Sequence, residues 1–348
     1  VIILISFLLS KNKVNGSKYI ETMLSLIVLP IIFYLFLGKA SINFSRIKNT
    51  FFKVFFISNL IYCVISVFLF YNFNNPRYPV KDANFYRMAI AENSIIGEHP
   101  IYISIFLSLA IIVGLTLYDK NKVKSWKNIF LALGHLFLIT ILLLLMSKSV
   151  ILALFVALIV LLLKRKRVHL KWVLYSIIVL ASIIMLVPKK NNRFLEVFNV
   201  SSYKKLDNYN STSIRVSVYN CAVEVLKNSP ILGYGIGDVQ GVLDDCYESR
   251  EYGFTRGMYN SHNQFLNLWL CSGAIGFVLF LLWLGYYLLR SIEFRDSTML
   301  AILLFYCVIF MFENVLSRQS GVIFFAFMIN FFLWGNKLDF KKMDKNKS

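Results

Sequence analysis

Apolar runs close to membrane-spanning length recur along this chain, at about 19–38, 51–71, 101–118, 128–146, 149–163, 169–187, 265–290, 298–315 and 320–335. A shorter run, VIILISFLLS, opens it. A bilayer core about 30 Å thick is crossed by ~20 helical residues. The runs therefore predict an all-α, polytopic integral membrane protein with roughly ten transmembrane helices. Composition agrees: 58% of the 348 residues are hydrophobic and 16% charged, where soluble domains run near half and a quarter. The opening run is half the needed length, so a truncated first helix or a missing start is expected. It lacks the basic flank and the cleavage site of a signal peptide.

The net charge of +19 does not point to nucleic acid here, because the lysines and arginines cluster in short connections where they set orientation. One alternating set of connections holds Lys39, Arg46, Lys48 and Lys53, then Lys120, Lys122, Lys124 and Lys127, the run KRKRVHLK, Arg290 and Arg295, and the tail KLDFKKMDKNKS. The other short connections hold far fewer. This bias predicts a cytoplasmic C-terminus and places the long segment 188–262 outside. The expected division is 1–187 as N-terminal membrane helices, 188–262 as the large outside loop carrying the active-site residues, 263–336 as C-terminal membrane helices and 337–348 as a basic cytoplasmic tail. The five cysteines show no spacing suited to zinc, and no metal site is expected. Cys221 and Cys246 share the long loop. Two free thiols is the simpler expectation, and pairing stays open if the loop faces an oxidising compartment.

Chemistry-bearing residues concentrate in and around that loop. SerThrSer at 211–213 offers a helix N-cap, and Ile214, Val218, Cys221, Ala222 and Val225 recur at helical spacing until Asn228-Ser229-Pro230. This predicts an amphipathic helix with Arg215 in its first turn, where a cation opposes the helix dipole and a bound anion would compensate. The alternative is an arginine paired with a loop carboxylate. The basic half of the loop, Lys189, Lys190, Arg193, Lys204, Lys205 and Arg215, is a candidate to meet an anionic substrate; the alternative is that Lys189, Lys190 and Arg193 sit at the headgroup level beside a helix end. After Pro230, Gly233 and Gly235 in ILGYGIGD permit close backbone approach, so their amides are candidates for an anion-binding concavity; an irregular turn is the plain alternative. His262, in Ser261-His262-Asn263 where the chain re-enters the membrane, is a candidate proton acceptor. Glu313, in FENVLSRQSG at the outer end of a span, is expected to pair with Arg318. His99 before Pro100 reads as a helix-initiating residue.

An arginine early in a helix, the turn Pro230-Ile231-Leu232-Gly233-Tyr234-Gly235, His262-Asn263 and then Gly273-Ala274-Ile275-Gly276 together resemble the O-antigen ligase and O-antigen polymerase superfamily of bacterial surface polysaccharide assembly. Two departures stand out: the family commonly has twelve spans, and its Ser-Arg at the outer end of a middle helix reads Ser147-Lys148 here. The resemblance implies transfer of a glycan from undecaprenyl-diphosphate to an acceptor hydroxyl at the outer face of the bacterial inner membrane, without cofactor or metal. His262 would be the general base and Arg215 would hold the diphosphate. Lys148 and Arg87 would be second cations, with Gly233, Gly235, Asn263, Glu313 and Arg318 contacting substrate. The acceptor separates two readings: lipid A core for a ligase, which the motifs favour, or a growing carrier-linked chain for a polymerase. A flippase for the same lipid-linked glycan is a third reading. It calls for charges along several spans, and the sequence places them at the span ends.

Overall fold

The computed structural model describes residues 2–37, 43–73, 83–118, 125–164, 195–204, 206–208 and 210–345. Among them every regular element is helical: α1 (Ile2–Leu9), α2 (Lys13–Met23), α3 (Ser25–Leu37), α4 (Phe44–Asn72), α5 (Ala83–Ala91), α6 (Pro100–Gly114), α7 (Trp126–Leu144), α8 (Lys148–Lys164), α9 (Ser201–Lys204), α10 (Ser211–Asn228), α11 (Val239–Ser249), α12 (Gln264–Glu293), α13 (Ser297–Phe310) and α14 (Gln319–Lys345), with short 3-10 turns at Leu195–Phe198 and Val315–Ser317. The chain is an all-α membrane protein.

The count of spans differs from expectation. Among the described residues five stretches are long and apolar enough to cross a membrane: Lys13–Phe36, Phe44–Asn72, Trp126–Leu144, Gln264–Glu293 and Gln319–Asp339. Three further apolar runs form the shorter helices α6, α8 and α13, and the opening run forms only the eight-residue α1. The physical reason is visible in α6, where 13 of 15 residues are buried. Its apolarity serves packing on all sides, as in a core helix, rather than length. The run at 169–187 and the basic residues at 189, 190, 193 and 205 lie outside the described residues.

Local sequence explains several helix starts. His99 is the N-cap of α6, its Nδ1 accepting from the Ile101 amide, and Pro100 takes the first position, where no amide is needed. Asn43, Ser125 and Asn263 cap α4, α7 and α12 through their side-chain oxygens.

The chain forms two compact units. One comprises 40–168, 296–305 and 335–348. In it α6 packs against α4, α7 and α8. Gly114 and Gly134 both lie against Phe56, where an added Cβ on Gly114 would come within 2.6 Å of the ring. Asp296 locks this unit: it pairs with Lys48, accepts from the Thr298 and Met299 amides at the start of α13 (2.9 and 3.0 Å), and accepts from Asn336 of α14 (3.0 Å).

The other unit comprises 1–39, 169–295 and 306–334. Here α1 packs on α2 and α12, and α10 on α11 and α12. Contrary to the simpler expectation, Cys221 and Cys246 form a disulfide that joins α10 to α11. Cys221 shares the buried face of α10 with Val218, Ala222 and Val225, and α10 packs on α11, which carries Cys246.

Candidate active site

The helix bearing Arg215 begins earlier than expected. Asn210, not a residue of the 211–213 triplet, is the N-cap, its side chain accepting from the Thr212 and Ser213 amides at 2.9 and 3.1 Å. Arg215 thus sits in the second turn, beyond the strongest field of the helix terminus. Its compensation is a carboxylate: Arg215 Nη2 donates to Glu313 Oε1 at 2.6 Å. Glu313 was expected to pair with Arg318, five residues away. Instead its partners are Arg215 and His262, whose Nδ1 stands 3.5 Å from Glu313 Oε2. All three side chains are largely enclosed, with 19%, 12% and 23% of Arg215, Glu313 and His262 exposed.

Two segments carry His262 and Glu313, and hydrogen bonds zip them together. Ser261 and Asn314, both buried, bond through their side chains at 3.0 Å. Gln264 Oε1 accepts from the Leu316 amide at 2.8 Å. Tyr219 Oη, one turn past Arg215 on α10, lies 3.1 Å from the carbonyls of both His262 and Met311. His262 itself has φ +45°, a left-handed backbone that costs a non-glycine residue about 1–3 kcal/mol. This turn aims the imidazole back at Glu313 instead of along α12.

The electrostatics follow from this geometry. Burial alone would raise the Glu313 carboxyl, but the His262 imidazole and the Arg215 guanidinium overcome it and hold the group below its ordinary value. Burial pushes the Tyr219 phenol up to about 12, so it stays a proton donor at neutral pH. The cluster is not saturated: Arg215 Nε and His262 Nδ1 are buried without a hydrogen-bond partner. Buried polar atoms in native structures are seldom left this way.

The glycines do something other than line an anion site. α12 breaks at Gly273, where φ is +63° and ψ −171°. The freed carbonyls of Leu270 and Cys271 accept from the Tyr234 and Gly235 amides at 2.8 and 3.0 Å, and the Ala274 amide donates to the Pro230 carbonyl at 2.9 Å. The Gly233 amide is taken by the Ser229 carbonyl and the Gly237 amide by Ser10 Oγ. The Pro230–Gly235 turn is thus a strap across the broken helix. Gly233 and Gly273 meet face to face: a Cβ on Gly273 would fall 1.8 Å from the Ile231 carbonyl oxygen. Asn263, expected to touch substrate, spends its side-chain oxygen on the Leu266 amide as the α12 cap. Asp238 accepts from the Lys11 and Asn12 amides and ties the strap to the connection before α2.

Arg87 on α5 and Lys148 at the start of α8 lie in the other unit, where Arg87 Nη1 donates to the Leu145 carbonyl at the C-terminal end of α7. Arg318 is exposed beside the turn that follows Glu313. Sequence reasoning missed Tyr219, Asn314 and Gln264. The available signal was spacing: Tyr219 is four residues from Arg215 on one helix face, and Asn314 neighbours Glu313.

No curated protein matches this chain closely. Residues 133–281, which hold Arg215, the Pro230–Gly235 turn and His262, match the family model described as O-antigen ligase, in line with the resemblance that the motifs carry.

Proposed function

We propose that this protein transfers a glycan from undecaprenyl-diphosphate to an acceptor hydroxyl, lipid A core in the ligase reading, at the outer face of the bacterial inner membrane. The observation that carries the proposal is the enclosed Arg215–Glu313–His262 cluster. Glycosyl transfer from a lipid diphosphate needs a proton acceptor for the incoming hydroxyl and a cation for the leaving group. In the proposed step, His262 Nε2 takes the hydroxyl proton as the acceptor oxygen bonds to the anomeric carbon. The bond from that carbon to the phosphate oxygen breaks, and the diphosphate leaves on its lipid. Glu313, facing Nδ1, orients the imidazole and stabilises it once protonated, as a carboxylate does in a Ser-His-Asp triad. Arg215, which spends Nη2 on Glu313, holds the diphosphate with its remaining guanidinium donors.

Orientation rests on two supports. The Lys and Arg bias of the short connections favours a cytoplasmic tail. The Cys221–Cys246 disulfide fits a loop in an oxidising compartment. A polymerase would use the same residues on a growing carrier-linked chain, and banding separates the two. The test is complementation of the deletion strain with His262→Ala and Arg215→Ala, read as surface polysaccharide banding with protein levels matched. Both variants are expected to express and to lose transfer. Carrier-linked polymer with bare core marks a ligase; core bearing a single repeat marks a polymerase. Wild-type banding from both variants overturns the reading.

A further inference from the structure

His262 is held in a backbone conformation it would not choose. Its amide donates to Asn260 Oδ1 at 3.0 Å, and its carbonyl accepts from Tyr219 Oη at 3.1 Å. Both backbone groups of the strained residue are thus taken by side chains. The same phenol lies 3.1 Å from the Met311 carbonyl, two residues before Glu313. A phenol carries one proton, so it serves the two carbonyls as a shared or alternating donor. Met311 follows the last residue of α13, where carbonyls lose their intrahelical partners. One side chain therefore touches both segments whose separation sets the 3.5 Å between imidazole and carboxylate. Arg215 and Tyr219 share one face of α10, so a single helix carries both the cation on Glu313 and this brace.

We propose that Tyr219 is a positioning residue whose hydroxyl, bridging the His262 and Met311 carbonyls, keeps the imidazole aimed at Glu313 for the transfer step. The inference rests on the glycan-transfer reading above. Without the hydroxyl, His262 relaxes toward the right-handed region and its ring swings off the carboxylate, while the aromatic ring at 219 keeps its packing. The loss should fall on the chemical step and not on donor binding, because the hydrogen bonds of the Tyr219 hydroxyl go to the His262 and Met311 carbonyls.

The test uses the full chain purified in detergent, with undecaprenyl-diphosphate oligosaccharide extracted from the same cells as donor. Tyr219→Phe is expected to lower kcat on the order of tenfold to a hundredfold, with KM for the donor and the melting temperature unchanged. Wild-type kcat overturns the proposal, and so does a rise in KM at unchanged kcat. Should Tyr219→Phe lose melting temperature along with kcat, Asn260→Ala decides, since it releases the other hold on His262. A kcat-only loss there supports the positioning role, and wild-type kcat overturns it. His262→Ala is run in parallel: if it retains transfer, the glycan-transfer reading of the site fails, separately from the role of Tyr219.

Discussion

Asp296 and Glu313 flank the same helix, one just before α13 and one just after it, and each is a buried carboxylate beside a cation. They are built differently. Asp296 is saturated: Lys48, two amides of a helix N-terminus and the Asn336 amide all donate to it. Those are the partners of a carboxylate whose work is to cap a helix and hold three elements together. Glu313 has one strong bond to Arg215 and a 3.5 Å contact with the His262 imidazole, and Arg215 Nε and His262 Nδ1 are buried without a hydrogen-bond partner. A carboxylate buried for stability is surrounded until nothing is left over, whereas one buried for chemistry leaves donors and acceptors for a substrate. Both carboxyls lie below their ordinary values, pulled down against burial by their cations. The direction of the shift therefore does not tell the two roles apart; saturation does.

If that distinction holds, conservative amides at the two sites should fail in different ways. Glu313→Gln is expected to cut transfer on the order of a hundredfold or more in protein that still reaches the membrane, measured as surface polysaccharide against protein level. Asp296→Asn should do the reverse. Removing one partner of a buried pair costs about 3–5 kcal/mol, so folded protein should fall while transfer per folded molecule stays near wild type, read by thermal melting in detergent. Equal transfer losses per folded molecule would erase the comparison.

The disulfide refines it, because α10 carries Arg215 and the bond anchors that helix to α11 across 25 residues. Replacing both Cys221 and Cys246 by serine should cost about 2–4 kcal/mol. The lost stability should appear as local opening of 211–249, measured by hydrogen exchange, with the Asp296 cluster undisturbed. The smallest effect concerns pH. Carboxyls with lowered folded values contribute stability that is complete above the ordinary carboxylate range, about pH 4, and is lost as pH falls through the folded values. The melting temperature should thus be flat from neutral to about pH 5 and drop below it. The drop should be shallower in Glu313→Gln and in Asp296→Asn, each of which removes one titrating group.

Much of this was legible in the chain. The helical repeat from Ile214 to Val225 and its stop at Pro230 placed the helix of Arg215, and His99-Pro100 marked the start of α6, because caps and breakers act over a few residues. The Arg215, Gly-x-Gly and His262 motifs pointed to the family, because reactive groups and backbone turns leave residue types behind at fixed spacing. The pairing of Glu313 was misread for the same reason that local reasoning works: Arg318 was near in sequence, while Arg215 is 98 residues away. The glycines were read as an anion-binding concavity or an irregular turn, and the amides of Gly233 and Gly235 go to the backbone carbonyls of Ser229 and Cys271, with Gly273 close against the turn.

What the sequence determined by itself is the class of molecule: apolar runs approaching ~20 residues without charge favour helices that bury or span over strands, and local polar residues choose where those helices begin and end. What the tertiary structure decided is which polar groups meet. The Arg215–Glu313–His262 cluster, the Tyr219 brace and the disulfide are each made by packing segments distant in the chain. Contacts of that kind depend on how helices dock, which no spacing in the sequence encodes.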